Sequence, residues 1–375
     1  MHRISAFSRV TLSYDSLDGQ LSMDTRQDHL IVNPEDPILI TGAAGFIGSR
    51  VAAQLATRGF RNLLCFLRPS GQRSRIDSLA EAFPDTTFQI VTGNLLSRED
   101  CERATRNVKL IFHLAAGTGE KSVPDAFMNS VVATRNLLDA ALNQKCLRRL
   151  VLASSFAVYT NRQRSRRLTE ESPIENHPEQ TGDAYCYAKV RQEELVKSYG
   201  EKSGISYVIV RPGSVYGPGN KGITGRVGLG TFGLFLHLGG SNRIPFTYVD
   251  NCADAIVLAG LVPGVEGEVF NVMDDELPTS RQFLRSYKKS AGDFRSIYLP
   301  HALSYTLCYL WEKYSNWSHG QLPPAYSRRL WYSQWRKTQY SNDKLKRQLG
   351  WAPKVTTAEG LRQTFAAMNP GGHRA

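Results

Sequence analysis

No stretch of this 375-residue chain reaches the roughly 18 to 20 consecutive apolar residues of a membrane-spanning helix, and its first residues lack the apolar core of a signal peptide. A cytoplasmic protein is expected. The six cysteines, at 65, 101, 146, 186, 252 and 308, include no C-x-x-C pair, so neither a zinc cage nor a disulfide framework is indicated. A reducing compartment follows, with no metal site. Acidic residues are also short, 34 Asp and Glu against 46 Lys and Arg for a net charge of +12. Part of the excess is local: Arg328, Arg329, Arg336, Lys337, Lys344, Lys346 and Arg347 gather near the C-terminus with Trp331, Tyr332 and Trp335. Basic residues interleaved with aromatics can bind phosphates or anionic lipid. A solvated helix face with its aromatics in the core is the favoured reading, and no nucleic-acid partner is expected.

What is present describes an ordinary globular domain with ample core, 41% hydrophobic and 21% charged. Residues 1–36 are polar and without periodicity, and read as a flexible extension; 368–375 read as a tail. From 37 onward, apolar runs at 38–41, 62–67, 87–92, 109–114, 149–154 and 206–211 alternate with helical segments. That alternation predicts an α/β fold, a Rossmann-type doubly wound parallel sheet with its ligand site at the carboxyl ends of the strands. The dinucleotide-binding domain is placed at 37–212. A smaller substrate-binding lobe is placed at 213–367, with 244–270 returning to the core sheet.

The first apolar run ends in Gly42-x-x-Gly45-x-x-Gly48 and opens a helix with Ala and Val at helical spacing. Gly42 and Gly45 let the backbone turn tightly against a pyrophosphate, and Gly48 lets helix and strand pack closely. The phosphates belong at the helix N-terminus, where N–H groups and the dipole favour anions. Further along stands Tyr185-Cys-Tyr-Ala-Lys189. Residues i and i+4 share a helix face, so the phenol of Tyr185 and the ammonium of Lys189 can address one ligand. A nearby cation is expected to lower the phenol pKa from its ordinary value of about 10. Tyr187 with Arg191 repeats the spacing, but lies about 200° around the helix from Tyr185, and is read as a packing residue.

Taken in order, ILITGAAGFIGS (38–49), HLAAG (113–117), Asn129 to Ala141, LVLASSFAVY (150–159), YCYAK and RPGSVYGPG (211–219) resemble the extended short-chain dehydrogenase/reductases. YVDNCADA (248–255), FNVMDDE (270–276) and SNDKLKRQLGWAP (341–353) continue the likeness. That superfamily includes epimerases, dehydratases and 3β-hydroxysteroid dehydrogenases. The resemblance implies a catalytic set of Ser155, Tyr185 and Lys189, with Ser155 fixed by the Val158-Tyr159 register and Ser154 turned to the other side of the strand. It also implies a cofactor held by Gly42, Gly45, Phe46, Ile47, Gly48, Arg68, Asn94, Leu95, Leu114, Ala115, Ala116 and Pro212, together with Tyr185 and Lys189. Where an NAD-binding protein places an acid, about 20 residues past the glycines, this chain has Arg68, followed by Arg73 and Arg75. NADP is therefore favoured over NAD. Members of the family often pair through two long helices, here 124–143 and 184–201, so a homodimer is an open expectation.

The substrate is expected to be a small molecule. The 4,6-dehydratases of the family carry an acid pair after the serine, whereas Phe156 and Ala157 follow it here. The epimerases commonly carry an Asn and an Arg where this chain has Ser214 and Ile244, with Arg243 beside the latter and Arg226 also available. Hydride transfer at a ketone or secondary alcohol is favoured, with a nucleotide-sugar epimerase as the alternative and a non-catalytic NADP-binding sensor or scaffold as a second. Finally, His301 to Trp311 forms a short apolar helix. It can lie against a membrane surface in weak contact or line a greasy pocket, and simple burial is the favoured reading.

Overall fold

Four consecutive buried residues, Ile38–Thr41, form the first strand, β1; burial of every position marks a strand covered on both faces. The computed structural model describes residues 30–116, 122–160, 165–181, 183–220, 222–231, 233–318 and 327–368. After β1 come α1 (Gly48–Thr57), β2 (Asn62–Leu67), α2 (Ser74–Ala82), β3 (Thr87–Thr92), α3 (Arg98–Thr105) and β4 (Leu110–His113). Then follow α4 (Val123–Ala126), a π-helical turn at Phe127–Val132, α5 (Ala133–Gln144), β5 (Arg149–Ala153), β6 (Arg167–Leu168), α6 (Ala184–Ser203), β7 (Tyr207–Pro212) and β8 (Ser214–Tyr216). The chain continues through β9 (Gly228–Thr231), β10 (Leu234–His237), β11 (Phe246–Tyr248), α7 (Val249–Leu261), β12 (Val269–Val272), α8 (Ser280–Ala291) and β13 (Ser296–Tyr298). It ends with α9 (His301–Trp317), α10 (Arg328–Gln334), β14 (Gln339–Tyr340), α11 (Asp343–Leu349) and α12 (Thr357–Met368).

Seven strands pair in the order β12-β7-β5-β4-β1-β2-β3, every neighbouring pair parallel. This is the doubly wound Rossmann-type sheet expected, and the six apolar runs are six of its strands. One face is covered by α1 and α7 through Val51, Leu55, Ala253 and Val257. On the other, α3, α5 and α6 contribute Ala104, Leu137, Leu138 and Val196. Strand order reverses at β1, which has β2 on one side and β4 on the other. In doubly wound sheets the ligand crevice lies at such a reversal, beyond the strands' carboxyl ends.

Outside the sheet, β13, β10 and β9 form a three-stranded sheet and β11 pairs with β8. Tyr216, Ile244, Phe246, Tyr248 and Phe283 gather in a core of their own. One amide side chain clasps the C-terminal segment to it. Asn251 accepts from the N–H groups of Lys354 and Val355, both at 3.0 Å, and donates to Asp274 at 3.0 Å and to Val355 O at 2.8 Å.

Two segments differ from expectation. Residues 30–36 do not behave as a free extension: Val32 is buried, Ile31 N donates to Leu261 O at 3.1 Å, and the Arg148 guanidinium bonds Ile31 O. The apolar triplet Leu30-Ile31-Val32 docks because the first core cluster offers it a face. Residues 1–29 and 369–375, read as extension and tail, lie outside the described residues. The helix expected at 301–311 runs on to Trp317, and it is not buried as favoured: its buried residues are Ser304, Cys308 and Ser315. No helix among the described residues is long and apolar enough to cross a membrane.

Candidate active site

Because the seven strands run in one direction, their C-terminal residues share one edge of the sheet. The glycine turn follows β1, Arg68 follows β2, and Asn94 lies just past β3. Leu114, Ala115 and Ala116 follow β4, Ser154 and Ser155 follow β5, and Pro212 closes β7. Topology alone thus gathers residues spread over most of the chain.

The glycine turn fits a dinucleotide. Gly42 has φ +72°, and a Cβ there would sit 3.0 Å from Ala115 N and 3.1 Å from the Leu114 carbonyl carbon. At Gly45 and Gly48 a Cβ would approach Gly42 O to 2.9 and 2.1 Å. Side chains at any of the three would push the turn out of the crevice. No side chain caps α1 and no acid stands in its first turn, so its N-terminal dipole is left to an anion. Ile47 packs into the main core and Phe46 against the lobe's core, so both side chains are taken up by packing.

Around the crevice the basic residues divide. Arg68 is exposed. Arg75 Nη1 donates to Ala44 O at 3.2 Å, which places a guanidinium against the glycine turn, while Arg73 is paired with Asp77 at 3.0 Å. Asn94 is exposed, and its side-chain oxygen accepts from Leu96 N at 3.0 Å, leaving the amide N–H₂ outward. Leu95, grouped with it from the sequence, is instead turned inward: its side chain is 8% exposed and belongs to the second core cluster. Its carbonyl is held there by the Asn136 amide at 3.0 Å.

Asp183 caps α6, accepting from Tyr185 N at 3.0 Å and Cys186 N at 3.1 Å. This cap places Tyr185 in the first turn and Lys189 one turn deeper. Lys189 is 3% exposed, and its Nζ donates to Ala153 O at 2.7 Å, immediately before the serine pair. The same Nζ stands 5.9 Å from the centre of the Tyr185 ring. Burial pushes the ammonium down to about 8, with the Glu193 carboxylate opposing. The phenol departs from expectation: burial holds it above its ordinary value, a hydrogen bond with Ser155 pulls it back, and the Asp183 carboxylate raises it. The Lys189 ammonium, bonded to Ala153 O, is not among the groups that move the phenol. With 36% of its surface open, Tyr185 is only partly desolvated. Tyr187 packs instead, 6.5 Å from the Phe127 ring with Arg191 over its face.

The two serines part as expected. Ser155 Oγ accepts from Ala157 N at 3.2 Å. Ser154 is buried and donates to Glu193 at 2.5 Å. Glu193 in turn receives a bidentate pair from Arg211, at 2.8 and 2.6 Å.

A second buried chain was not foreseen from the sequence. The Thr134 hydroxyl donates to Ser130 O at 2.6 Å and accepts from Gln192 at 2.8 Å. It must therefore also accept from His113 Nε2, 2.9 Å away. Nδ1 is then an acceptor for the Thr41 hydroxyl at 2.8 Å, and that hydroxyl accepts from Ala115 N at 3.2 Å. One neutral imidazole locks the end of β1 to the end of β4. The only hints in the sequence were polar residues closing apolar strands, at Thr41 and His113, and the i, i+3, i+4 spacing of Lys189, Gln192 and Glu193.

Burial, helped by the Lys189 ammonium, pushes His113 down to about 3. Unfolded, it titrates near 6.5. The unfolded chain thus binds the extra proton between those values, and stability falls as pH drops from about 6.5 toward 3. Compared with a His113→Asn variant, the native chain is expected to lose about 1.4 kcal/mol more unfolding free energy per pH unit below 6. Urea unfolding at stepped pH measures this, and parallel curves for the two proteins would contradict it.

A family model described as the NAD dependent epimerase/dehydratase family matches residues 38–272. A 3beta-hydroxysteroid-dehydrogenase/decarboxylase of Arabidopsis thaliana is 25% identical over 357 residues, covering 87% of this chain and 78% of that protein. The decarboxylating sterol-4-alpha-carboxylate 3-dehydrogenase of Saccharomyces cerevisiae is 28% identical, covering 90% and 99%. Among solved structures, the UDP-glucose 4-epimerase of Thermus thermophilus in complex with NAD superposes with a TM-score of 0.64. It is 24% identical and covers 89% of this chain and 99% of that one, a likeness of fold. The family match begins on the first residue of β1 and ends on the last of β12, the full span of the parallel sheet: the chain is an enzyme of the NAD dependent epimerase/dehydratase family.

Proposed function

We propose that the enzyme moves hydride between a nicotinamide cofactor, NADP(H) in preference to NAD(H), and a ketone or secondary alcohol carried on a small molecule, with Ser155, Tyr185 and Lys189 as the catalytic set. The observation that carries this reading is the anchoring of Lys189 at Ala153 O, which ties the α6 pair to the strand end bearing Ser155. When bound, the nicotinamide supplies or takes up the hydride at C4. Ser155 Oγ holds the substrate oxygen by a hydrogen bond and stabilises charge developing there. In reduction, Tyr185 gives its hydroxyl proton to that oxygen, and in oxidation it takes the proton back. Lys189 keeps a positive charge behind the phenol and addresses the cofactor's ribose.

Three further observations favour simple oxidoreduction. Phe156 stands where a dehydratase needs an acid, and its ring is stacked at 5.8 Å on Tyr340. Arg226 and Arg243, the cations available for a sugar diphosphate, are engaged elsewhere: Arg226 donates to Ser333 O at 3.0 Å and Arg243 to Leu277 O at 3.2 Å. Two relatives that cover 87% and 90% of this chain are named as a 3beta-hydroxysteroid-dehydrogenase/decarboxylase and a decarboxylating sterol-4-alpha-carboxylate 3-dehydrogenase. The test is titration with NADPH and NADH, then nicotinamide absorbance with ketones, sterols and UDP-sugars. Net oxidation of the cofactor by a ketone supports the reading. Interconverted sugars without net absorbance change move it to an epimerase, and cofactor binding without turnover of any substrate moves it to a sensor.

The cofactor preference rests on the exposed Arg68 and on Arg75 at the glycine turn, while Arg73 is held by Asp77. Replacing Arg68 by Ala is expected to weaken NADPH by tenfold or more, the worth of about one charge-assisted hydrogen bond, and NADH by less than about twofold. Equal losses for both cofactors in a binding titration would count against a 2′-phosphate contact.

A further inference from the structure

Helix α9 is built inside out. The residues it buries are Ser304, Cys308 and Ser315. Its large side chains face outward: Leu303, Leu307, Leu310, Tyr314 and Trp317 are between 47% and 74% exposed. Their spacing of four, three, four and three places all five on one face. Among the described residues nothing covers this stripe. It extends at one side into an apolar recess of about 410 Å³, walled by Leu229, Leu236, Leu238 and Trp335 and entered past Leu307 and Leu310. Just before the helix, β13 adds exposed Ile297 and Tyr298.

Cations rim this surface. Lys313 and Arg328 lie over the Tyr309 ring at 5.8 and 4.9 Å, Arg336 over Tyr332 at 5.8 Å, and Arg281 over Tyr298 at 5.2 Å. Across residues 281–318 and 327–340 there are ten Lys and Arg against two Asp and Glu. Both acids are already paired, Asp293 with Lys288 at 3.1 Å and Glu312 with Arg328 at 2.9 Å.

We propose that α9 and β13 form a docking face for an anionic phospholipid surface, on which the helix lies without crossing. The stripe enters the boundary between headgroups and acyl chains, and the rim meets lipid phosphates. Tyr314 and Trp317, stacked at 5.8 Å, supply the amphipathic aromatics that settle at such a boundary. Charge decides against a second copy of the chain as the occupant. A twofold interface sets the same patch on both subunits, and would bring two strongly positive rims together. An apolar ligand confined to the recess leaves Leu303 and Trp317 unaccounted for, since neither lines it.

The test is sedimentation of the full chain with vesicles of phosphatidylcholine alone and of equal parts phosphatidylcholine and phosphatidylglycerol, with tryptophan emission read alongside. Binding to the anionic vesicles is expected to exceed binding to the neutral ones by tenfold or more, with a blue-shifted emission that brominated lipid quenches. Leu310→Asp is expected to cut that binding by tenfold or more, and Lys313→Gln to reduce the anionic preference severalfold. Both side chains are outward, so circular dichroism and cofactor affinity serve as controls on folding. The proposal is overturned by absence of binding to either vesicle or by undiminished binding of Leu310→Asp. It is equally overturned by light scattering that shows a dimer broken by Leu310→Asp but untouched by anionic vesicles, which makes the stripe a self-association face.

Discussion

Tyr185→Phe is expected to lower kcat by ~10²- to 10⁴-fold, the usual worth of a positioned proton donor, while the dissociation constant for NADPH stays within about twofold of the parent, a change of only about 0.4 kcal/mol. The substitution removes one oxygen and keeps the ring, and the Asp183 cap acts through the Tyr185 backbone N–H, which Phe retains. Lys189 keeps its bond to Ala153 O, so the cofactor side of the cleft is undisturbed. Single-turnover absorbance with a ketone substrate, alongside an NADPH titration, separates the two effects. Full activity in the variant would sink the assignment of Tyr185. Loss of NADPH binding in step with activity would show that the phenol serves binding, and not proton transfer.

Removing Glu193 is expected to cost about as much in stability as any single change in the chain. Its carboxylate is fully buried and holds Nε and Nη2 of Arg211, which is itself 2% exposed, together with the Ser154 hydroxyl. Glu193→Leu leaves a buried guanidinium without its counter-ion, a loss of about 3 to 5 kcal/mol. The Arg211→Met partner variant strands the carboxylate in the same way. Combining the two removes both charges together, so the double variant is expected to be more stable than the sum of the single losses predicts, by about 0.5 to 3 kcal/mol. Urea midpoints for the four proteins measure that coupling, and strict additivity would mean that the pair is not the source of the stability.

How legible these features were depended on how local their physics is. The strands were plain because both faces of a parallel sheet are covered, and Ile38–Thr41 or Asn62–Leu67 therefore read as unbroken apolar runs. Tyr185 and Lys189 were readable because one helical turn relates them. The environment that tunes them was not: His113 and Ala153 arrive from other strands, and nothing in the sequence says that the ammonium will give its hydrogen bond to a carbonyl. The side chains of Asn94 and Leu95 were not separable for a similar reason. Asn94 is exposed, and only the fold shows that the next side chain is buried in the second core cluster. Helix α9 marks the limit of pattern reading. A segment apolar nearly all round has no stripe to choose by, and only the fold shows that Ser304, Cys308 and Ser315 are the side chains the helix buries.

The clasp between β1 and β4 also bears on the order in which the molecule assembles. β1, β2 and β3 are joined by single helical crossovers and can begin to associate as each leaves the ribosome. The crevice cannot, because its far wall is β4, whose Leu110 pairs with Ile38 across the whole of that first unit. Its closing contacts, Thr41 to His113 and Ala115, come later still. Closing so long a loop carries an entropic cost that is offset only when the intervening elements are in place. A half-made chain therefore has a glycine turn without Leu114 and Ala115, the residues against which Gly42 lies.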